Sequence, residues 1–471
     1  MRLTATVIGC AACAVSYAHG ETLQSALVQA YRNNPTLNAQ RASVRATDEY
    51  VPQALSGYRP KITATITGGE QSMSGTTRVV SPNLPATAFP NRPATYATQS
   101  GYNAPVALGA SITQTLYNGF KTANQTREAE SQVLAARATL QQAVQATLLN
   151  AATAYMNVLR DGAILDLQKR NVEVLQEQLR QTRDRFNVGE VTRTDVAQAE
   201  SRLASGRSQV LTAEANYKAS VATYRQVIGI EPKNLSAGTP VDRFSPHTLP
   251  KAISVGTAVH PAVMSAEYSV DVAQLAVKVS EASLLPTLSV TGNFTKNYEV
   301  VGSLNTIESY NASLLGTLSV PIYQGGAEYS LIRQAKETLG QKRLDLDTAR
   351  DQVRQTVVQS WGQLEAAKAN IDATQAQVQA AEIALDGVRQ EARVGQRTTL
   401  DVLNAQQELV NARVSLVTAQ RDRVVASYTL LAAVGRLSPT VLGLHVPVYR
   451  PIVHYQQVRD AWAGTRNPDG R

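Results

Sequence analysis

The residue types that most often carry chemistry are sparse and badly placed for it. Five histidines, His19, His247, His260, His445 and His454, lie far apart, and none stands at metal-ligand spacing from another histidine or a cysteine. Both cysteines, Cys10 and Cys13, fall in the first stretch of the chain, so nothing after it offers a thiolate for a disulfide, a metal or a nucleophilic step. No phosphate-cradling glycine loop, G-x-S-x-G elbow or H-E-x-x-H occurs. The chain is expected to be no enzyme and to need no cofactor or metal.

What does recur is a turn with charged flanks. Arg185-Phe186-Asn187-Val188-Gly189-Glu190-Val191-Thr192-Arg193-Thr194-Asp195-Val196 and Arg393-Val394-Gly395-Gln396-Arg397-Thr398-Thr399-Leu400-Asp401-Val402 share the spacing V-G-x-x-T-x-x-D-V. Glycine permits the left-handed backbone that reverses a helix. Thr192 or Thr194 with Asp195, and Thr398 or Thr399 with Asp401, offer side-chain oxygens to the unpaired amides that open the next helix. A turn and a cap are one complete reading of these residues; a functional tip is the other.

The two turns belong to a larger duplication. Tyr117 to Gly229 matches Tyr323 to Gly435 without a gap at an offset of 206 residues, and Pro35 and Pro60 match Pro261 and Pro286 at an offset of 226. The first copy therefore carries 20 extra residues between Pro60 and Tyr117, expected in a loop. Each copy reads as a helix, two strands and two long helices. Proline opens the first helix after Asn34 and after His260. Period-two alternation then places strands at about 61–68 and 105–116, and at about 287–296 and 310–320, with an apolar and a polar face. Loops rich in Gly, Ser, Thr, Pro and Asn are expected near Gly69 to Ala104 and Asn297 to Ser309.

Steps of three and four residues run through Leu165, Gln168, Val172, Leu175, Leu179, Thr182 and Phe186, and through Val402, Ala405, Leu409, Ala412, Leu416 and Ala419, marking long packed helices. Lys121 to Asn187 alone would make a rod of about 100 Å at 1.5 Å per residue. Its partner, Thr194 to Ile228, is about half as long. The stretch from Ile230 to Ala258 and the stretch after Leu437 are expected to wrap the rods as a belt.

Arg2, an apolar run and Ser16-Tyr17-Ala18 read as a secretory leader, with the mature chain starting near His19. Val7-Ile8-Gly9-Cys10 resembles a lipidation site, but its apolar segment is short. Beyond the leader no run of 18 apolar residues occurs, which argues against a spanning helix and leaves short, alternately apolar barrel strands open. The formal charge of +8 is spread along the chain in mixed-sign patterns, so no nucleic-acid partner is expected. Tyr58, Tyr102, Tyr117, Tyr298, Tyr310 and Tyr323 flank the strands as an interfacial girdle would, or as turn and core residues.

Four two-faced strands cannot close a barrel, because single-chain barrels begin at eight. Three chains would supply twelve strands and an open lumen.

At this point the chain resembles the TolC family of outer-membrane channels, over roughly Glu21 to Arg436, through the duplicated helix, strand pair and hairpin and both turn motifs. The resemblance implies an α+β membrane protein. It would be a homotrimer with a 12-stranded outer-membrane barrel, four strands per protomer, continued by an antiparallel α-helical tunnel through the periplasm of a Gram-negative cell. The corresponding segments are a leader 1–18, a first repeat 19–229 with its tip near 187–195, an equatorial linker 230–259, a second repeat 260–435 with its tip near 393–401, and a C-terminal equatorial or flexible segment 436–471.

It also implies roles. The hairpin tips, with Val188, Gly189, Glu190, Thr192, Val394, Gly395, Gln396 and Thr398, would receive a periplasmic adaptor (membrane fusion) protein. The inner-membrane partner would be an ABC or a proton-driven (RND-type) transporter, and outer-membrane lipid would surround the barrel. Asp401 matches a family aspartate that rings the constriction, while the second ring falls on Asn404. Arg397 matches an arginine that holds the gate by pairing near Thr194 and Asp195, and its family tyrosine companion falls on Ala392. The function implied is the exit duct of a tripartite export system, for type I protein secretion or multidrug efflux. A periplasmic coiled-coil adaptor or structural protein is the rival, disfavoured by two hairpins and four two-faced strands.

Overall fold

A computed structural model describes residues 21–79, 95–301 and 305–468. The expected leader and lipidation site lie outside the described residues. In chain order the elements are α1 (Leu23–Asn33), α2 (Pro35–Asp48), α3 (Tyr50–Leu55), β1 (Lys61–Gly68), β2 (Gln71–Val79), β3 (Thr95–Asn103), β4 (Val106–Asn118), α4 (Lys121–Asn187) and α5 (Arg193–Ile228). The second copy follows as α6 (Leu249–Val259), α7 (Pro261–Glu281), β5 (Thr287–Val301), β6 (Asn305–Ser319), α8 (Ala327–Arg393) and α9 (Thr399–Ala433), and α10 (Pro451–Val458) closes the chain.

The duplication is visible in the backbone. Gly119, Gly189 and Gly229 have φ of 64°, 83° and 90°, and their counterparts Gly325, Gly395 and Gly435 have 70°, 78° and 81°. These are the strand-to-helix corner, the hairpin tip and the helix end of each copy, where the chain must enter the left-handed region. Both α4 and α8 have 67 residues.

The chain divides into two units. One comprises residues 21–45, 134–267 and 344–452 and holds the bodies and tips of the long helices. Its larger core gathers Leu27, Leu37, Leu148, Tyr155, Tyr224, Ile228, Leu431 and Leu437, and the Tyr155 hydroxyl donates to the carbonyls of Glu21 and Ser236, each at 2.7 Å. A smaller core repeats the idea around Ala252, Val357, Leu364 and Leu430, against which Trp361, the counterpart of Tyr155, is packed.

The linker reading needs correction here. Leu249–Val259 is a helix at the 226-residue offset from Leu23–Asn33, so the second copy begins at Leu249 rather than at His260. Pro250 is tolerated because it sits in the first turn, and Gly256 lets the helix approach Val357 so closely that an added Cβ would lie 3.0 Å from its side chain. The expected belt is thus partly helical: α6 lies in the first stretch and α10 in the second.

The other unit comprises residues 46–133, 268–343 and 453–468 and holds the sheet. β1, β4, β5 and β6 pair in that order, all antiparallel. Register puts Ile62 opposite Ile112, Ala110 opposite Phe294, and Phe294 opposite Ala312. One face therefore carries Ile62, Ile66, Leu108, Ile112, Phe294, Leu314 and Leu318, all exposed on the single chain. The opposite face carries Thr63, Thr65, Ser111, Asn293, Ser313 and Thr317. Such a bare apolar face calls for a hydrocarbon surround rather than water.

Much of the two expected loops is strand instead, residues 80–94 of the first lying outside the described residues. β2 and β3 pair with one another from Gln71–Asn103 to Val79–Thr95, extending the β1–β4 hairpin past the break at Gly69 and Pro105, and the 20-residue insertion lies within this longer hairpin. β5 and β6 likewise pair out to Val301–Asn305. The described sheet has six strands, not four: the four ladder strands fall where expected and the extra pair is in register with them at Asn103–Val301. Among the described residues no helix is long and apolar enough to cross a membrane.

The hairpin tips as the candidate functional site

Each tip is built by a helix that runs out at Asn187 or Arg393, a glycine at positive φ, and a capped restart. Thr192 and Thr398 are the N-caps of α5 and α9. The amide of Asp195 donates to Thr192 Oγ1 at 3.4 Å, and the amide and hydroxyl of Thr192 donate back to Asp195 Oδ2 at 2.9 and 2.7 Å. The second tip repeats the set between Thr398 and Asp401 at 3.2, 3.0 and 2.8 Å. These reciprocal bonds satisfy two amides left open at a helix start. They also stabilise the charged form of each carboxylate: the Thr192 side chain and then its backbone lower the Asp195 pKa, and the Thr398 backbone and then its side chain lower that of Asp401.

An ion pair spans each turn, with the signs exchanged. Arg185 Nε on α4 meets Glu190 Oε2 in the first tip at 3.0 Å, whereas Glu391 Oε2 on α8 meets Arg397 Nε in the second at 2.8 Å. Glu391, with Asp401 contributing, holds the Arg397 guanidinium still more firmly protonated. Neither Arg185 nor Glu391 stands among the sequence-predicted site residues. Opposite charges five and six residues apart around a glycine were the available signal, masked because the repeat alignment sets Arg185 against Glu391.

The two tips lie side by side in one unit and share an open groove of about 1030 Å³, lined among others by Arg185, Glu190, Thr192, Asp195, Arg397 and Thr398. Gly395 and Ala392 also line it. Val188 and Val394 stand far out into solvent, each 72% exposed. Behind the tips Leu403, 2% exposed, is buried with Leu175, Leu179, Ala199 and Leu203 and joins the second hairpin to the first. Beside it the Asn404 amide oxygen accepts from Arg202 Nη2 at 2.7 Å, so the position expected to give a second carboxylate ring is an amide tied to α5. Within the second hairpin Arg389 on α8 donates to Gln406 on α9 at 2.9 Å. Thr194 makes none of the described cap bonds; Thr192 does. Among the described residues no group of three or more His, Cys, Asp or Glu could hold a metal.

Residues 26–230 and 254–436, which bracket both hairpins and the sheet, match the family described as Outer membrane efflux protein. The chain belongs to that family. It is 41% identical over 451 residues to the outer membrane efflux protein BepC of Brucella suis, covering 96% of this chain and 93% of that one. It is 29% identical to the outer membrane protein TolC of Escherichia coli over 65% of each chain. Among solved structures, the CmeC outer membrane channel of Campylobacter jejuni matches with a TM-score of 0.69 over 89% of this chain and 88% of that one, at 18% identity, a likeness of fold alone. The second match begins at 254, inside α6, in keeping with the helical start of the second copy. As an outer membrane efflux protein the chain is an outer-membrane channel of Gram-negative type reaching into the periplasm, and the expected TolC-like fold with its internal duplication holds.

Proposed function

We propose that three copies close their sheets into one 12-stranded barrel and their hairpins into one tunnel, which serves as the exit duct of a tripartite efflux system. The carrying observation is the four-strand ladder with a bare apolar face on one side and a polar face on the other. A barrel of eight strands has a filled interior, whereas three ladders of four give a lumen lined by Thr63, Ser111, Asn293 and Ser313. Efflux is preferred over protein secretion because BepC, which is 41% identical and matched over 93% of its length, is an efflux protein. No catalytic role or nucleic-acid partner is proposed; the energy comes from an inner-membrane transporter of the RND or ABC class.

The tips form the periplasmic gate and the adaptor's seat. Asp401 supplies a carboxylate ring and Asn404 an amide ring, which makes the constriction half as acidic as two aspartates would. Val188, Gly189 and Glu190, with Val394, Gly395 and Gln396, present the surface the adaptor meets. Arg397 acts through Glu391 on the shape of its own hairpin. Outer-membrane fractions should contain heat-modifiable trimers, and cysteines placed at Val188 and Val394 should cross-link to the adaptor in cells. Recovery of the protein as a periplasmic monomer would overturn the reading.

A further inference from the structure

The C-terminal segment returns to the sheet and places there an aromatic side chain that the export function does not use. Helix α10 is fastened first: His454 Nδ1 lies 3.0 Å from Asp48 Oδ2, both buried, and Tyr455 and Arg459 each reach Glu130 Oε1 at 3.3 Å. The chain leaving α10 then meets the residues that open β1. Arg59 Nη1 donates to the carbonyl of Ala461 at 2.5 Å, and its guanidinium lies 4.7 Å from the ring centre of Trp462. The indole is 72% exposed.

Ile62, the first apolar residue of the bare face, is three positions beyond Arg59. At this same end of the strands stand exposed Leu116, Phe120, Val320, Ile322 and Tyr323, with Phe120 edge-on to Tyr117. The long helices α4 and α8 also start from this end, so in a barrel that continues into the periplasm it faces the inner leaflet of the outer membrane. Trp462 is thus continuous with the rim of the lipid-facing surface. A ring with an apolar body and one N–H donor is stable at such a boundary and costly to leave bare in water. The charge beside it is mainly positive: Arg59 is half-buried beneath the ring, Arg466 is an exposed cation, and Asp460 is the only acidic residue between Arg459 and Arg466.

We propose that the segment from Ala461 to Arg466 is a membrane-interface anchor that seats Trp462 in the headgroup layer of the inner leaflet, on anionic phospholipid. Arg59 holds the indole at the right height by stacking on it, while Arg466 attracts phosphate groups. Fastening α10 to Asp48 transmits that height to the helices at the barrel's inner edge, which fixes how deeply the barrel sits. The inference rests on the barrel reading above, and the test separates the two.

The chain has two tryptophans, and the other, Trp361, lies in the long-helix unit. A full-length Trp361→Phe trimer reconstituted into vesicles therefore reports on Trp462 alone. Flotation with the vesicles and channel conductance report barrel insertion independently. The expected result is a blue-shifted Trp462 emission, quenched more by lipids brominated near the glycerol than by those brominated near the chain end. Quenching should be greater with phosphatidylglycerol present than in pure phosphatidylcholine. An Arg59→Gln change should return the emission toward that of a water-exposed indole. If Trp361→Phe fails to assemble, the difference between the native chain and Trp462→Phe supplies the same signal. Conducting, floating trimers whose Trp462 is unquenched, or equally quenched with and without anionic lipid, would overturn the anchor and leave the barrel standing.

Discussion

Replacing Leu403 by alanine tests how the two hairpins of one protomer are held together behind their tips, the proposed gate. The side chain is 2% exposed and buried with Leu175, Leu179, Ala199 and Leu203, all of which belong to the other hairpin. Truncation removes three carbons from this contact, about 2.4 kcal/mol of transfer free energy at ~0.8 kcal/mol per carbon. The space left adds a cavity cost, so the total falls within the 2–5 kcal/mol typical of buried Leu→Ala changes. The cluster is small and stands near the tip of a long hairpin with few neighbours around it, where the wall can close in, which favours a value of about 2.5–3 kcal/mol.

The loss concerns docking of one hairpin on another, not the whole fold, because the main cores around Tyr155 and Trp361 are untouched. Amide exchange in residues 172–206 and 399–410 should accelerate about 50–150-fold, since each 1.4 kcal/mol is tenfold, with no comparable change near Tyr155. Single-channel records should show more frequent visits to a larger conductance. Leu403→Met keeps the volume and should stay close to the native protein. Unchanged exchange and conductance in Leu403→Ala would refute the idea that this contact holds the tips together.

Arg397→Gln and Glu391→Gln should destabilise the closed pore alike, with the double change no worse than either, because each removes the same 2.8 Å pair; a silent Glu391→Gln beside an active Arg397→Gln would instead place the partner of Arg397 on another hairpin. High salt should diminish the native advantage, since both side chains are about half exposed. Gly395→Ala should cost about 1–2 kcal/mol of tip stability, read by protease sensitivity, through its φ of 78° and not through any clash, because open space surrounds it. Gly435→Ala should cost more, for there the added carbon also meets the His260 backbone at 2.7 Å, and thermal melting of the two variants should rank them so. The caps should be acid-labile: the folded pKa values of Asp195 and Asp401 are depressed, so their contribution is complete above the unfolded carboxylate value of about 3.9 and is lost as pH falls through the folded values. Tip exchange should rise in that window, and should do so less in a Thr192→Val, Thr398→Val double variant whose caps are already weakened.

The long elements were legible because their signals are long. Lys121 to Asn187 is a helix in sequence pattern and in structure, and the turn glycines at 189 and 395 have the left-handed backbone their type suggested. β2 and β3 were not legible, since Gln71–Val79 and Thr95–Asn103 are polar on both faces and rich in Gly, Ser and Thr, a composition that also makes loops; only pairing with each other fixes them as strands. Helix α6 was hidden by Pro250 and Gly256, which read as punctuation but are accommodated by the first turn and by the approach to Val357. At the tips, sequence spacing gave the caps and missed Leu403 and Arg202, because a contact between hairpins depends on how helices separated by some 200 residues lie side by side.

The duplication is kept where backbone geometry demands it and broken where a partner could read it. Glycines at corner, tip and helix end agree between copies to within 10° in φ, and the threonine–aspartate caps agree bond for bond. The ion pairs across the turns do not: the first tip projects Glu190 from its turn and the second projects Arg397, each neutralised by a residue of the preceding helix. Both pairs close the same turn, but Arg185 suits the negative end of the α4 dipole whereas Glu391 opposes that of α8, so helix-end electrostatics favour the first order and do not account for the reversal. Around the proposed threefold axis six tips then alternate in the charge they offer outward. A rim with sixfold spacing but threefold charge lets an adaptor tip of one sign seat beside every second hairpin and meet like charge at the next. If the adaptor seats on the tips as proposed, spacing would bring it to the rim and the reversed ion pairs would fix its register there.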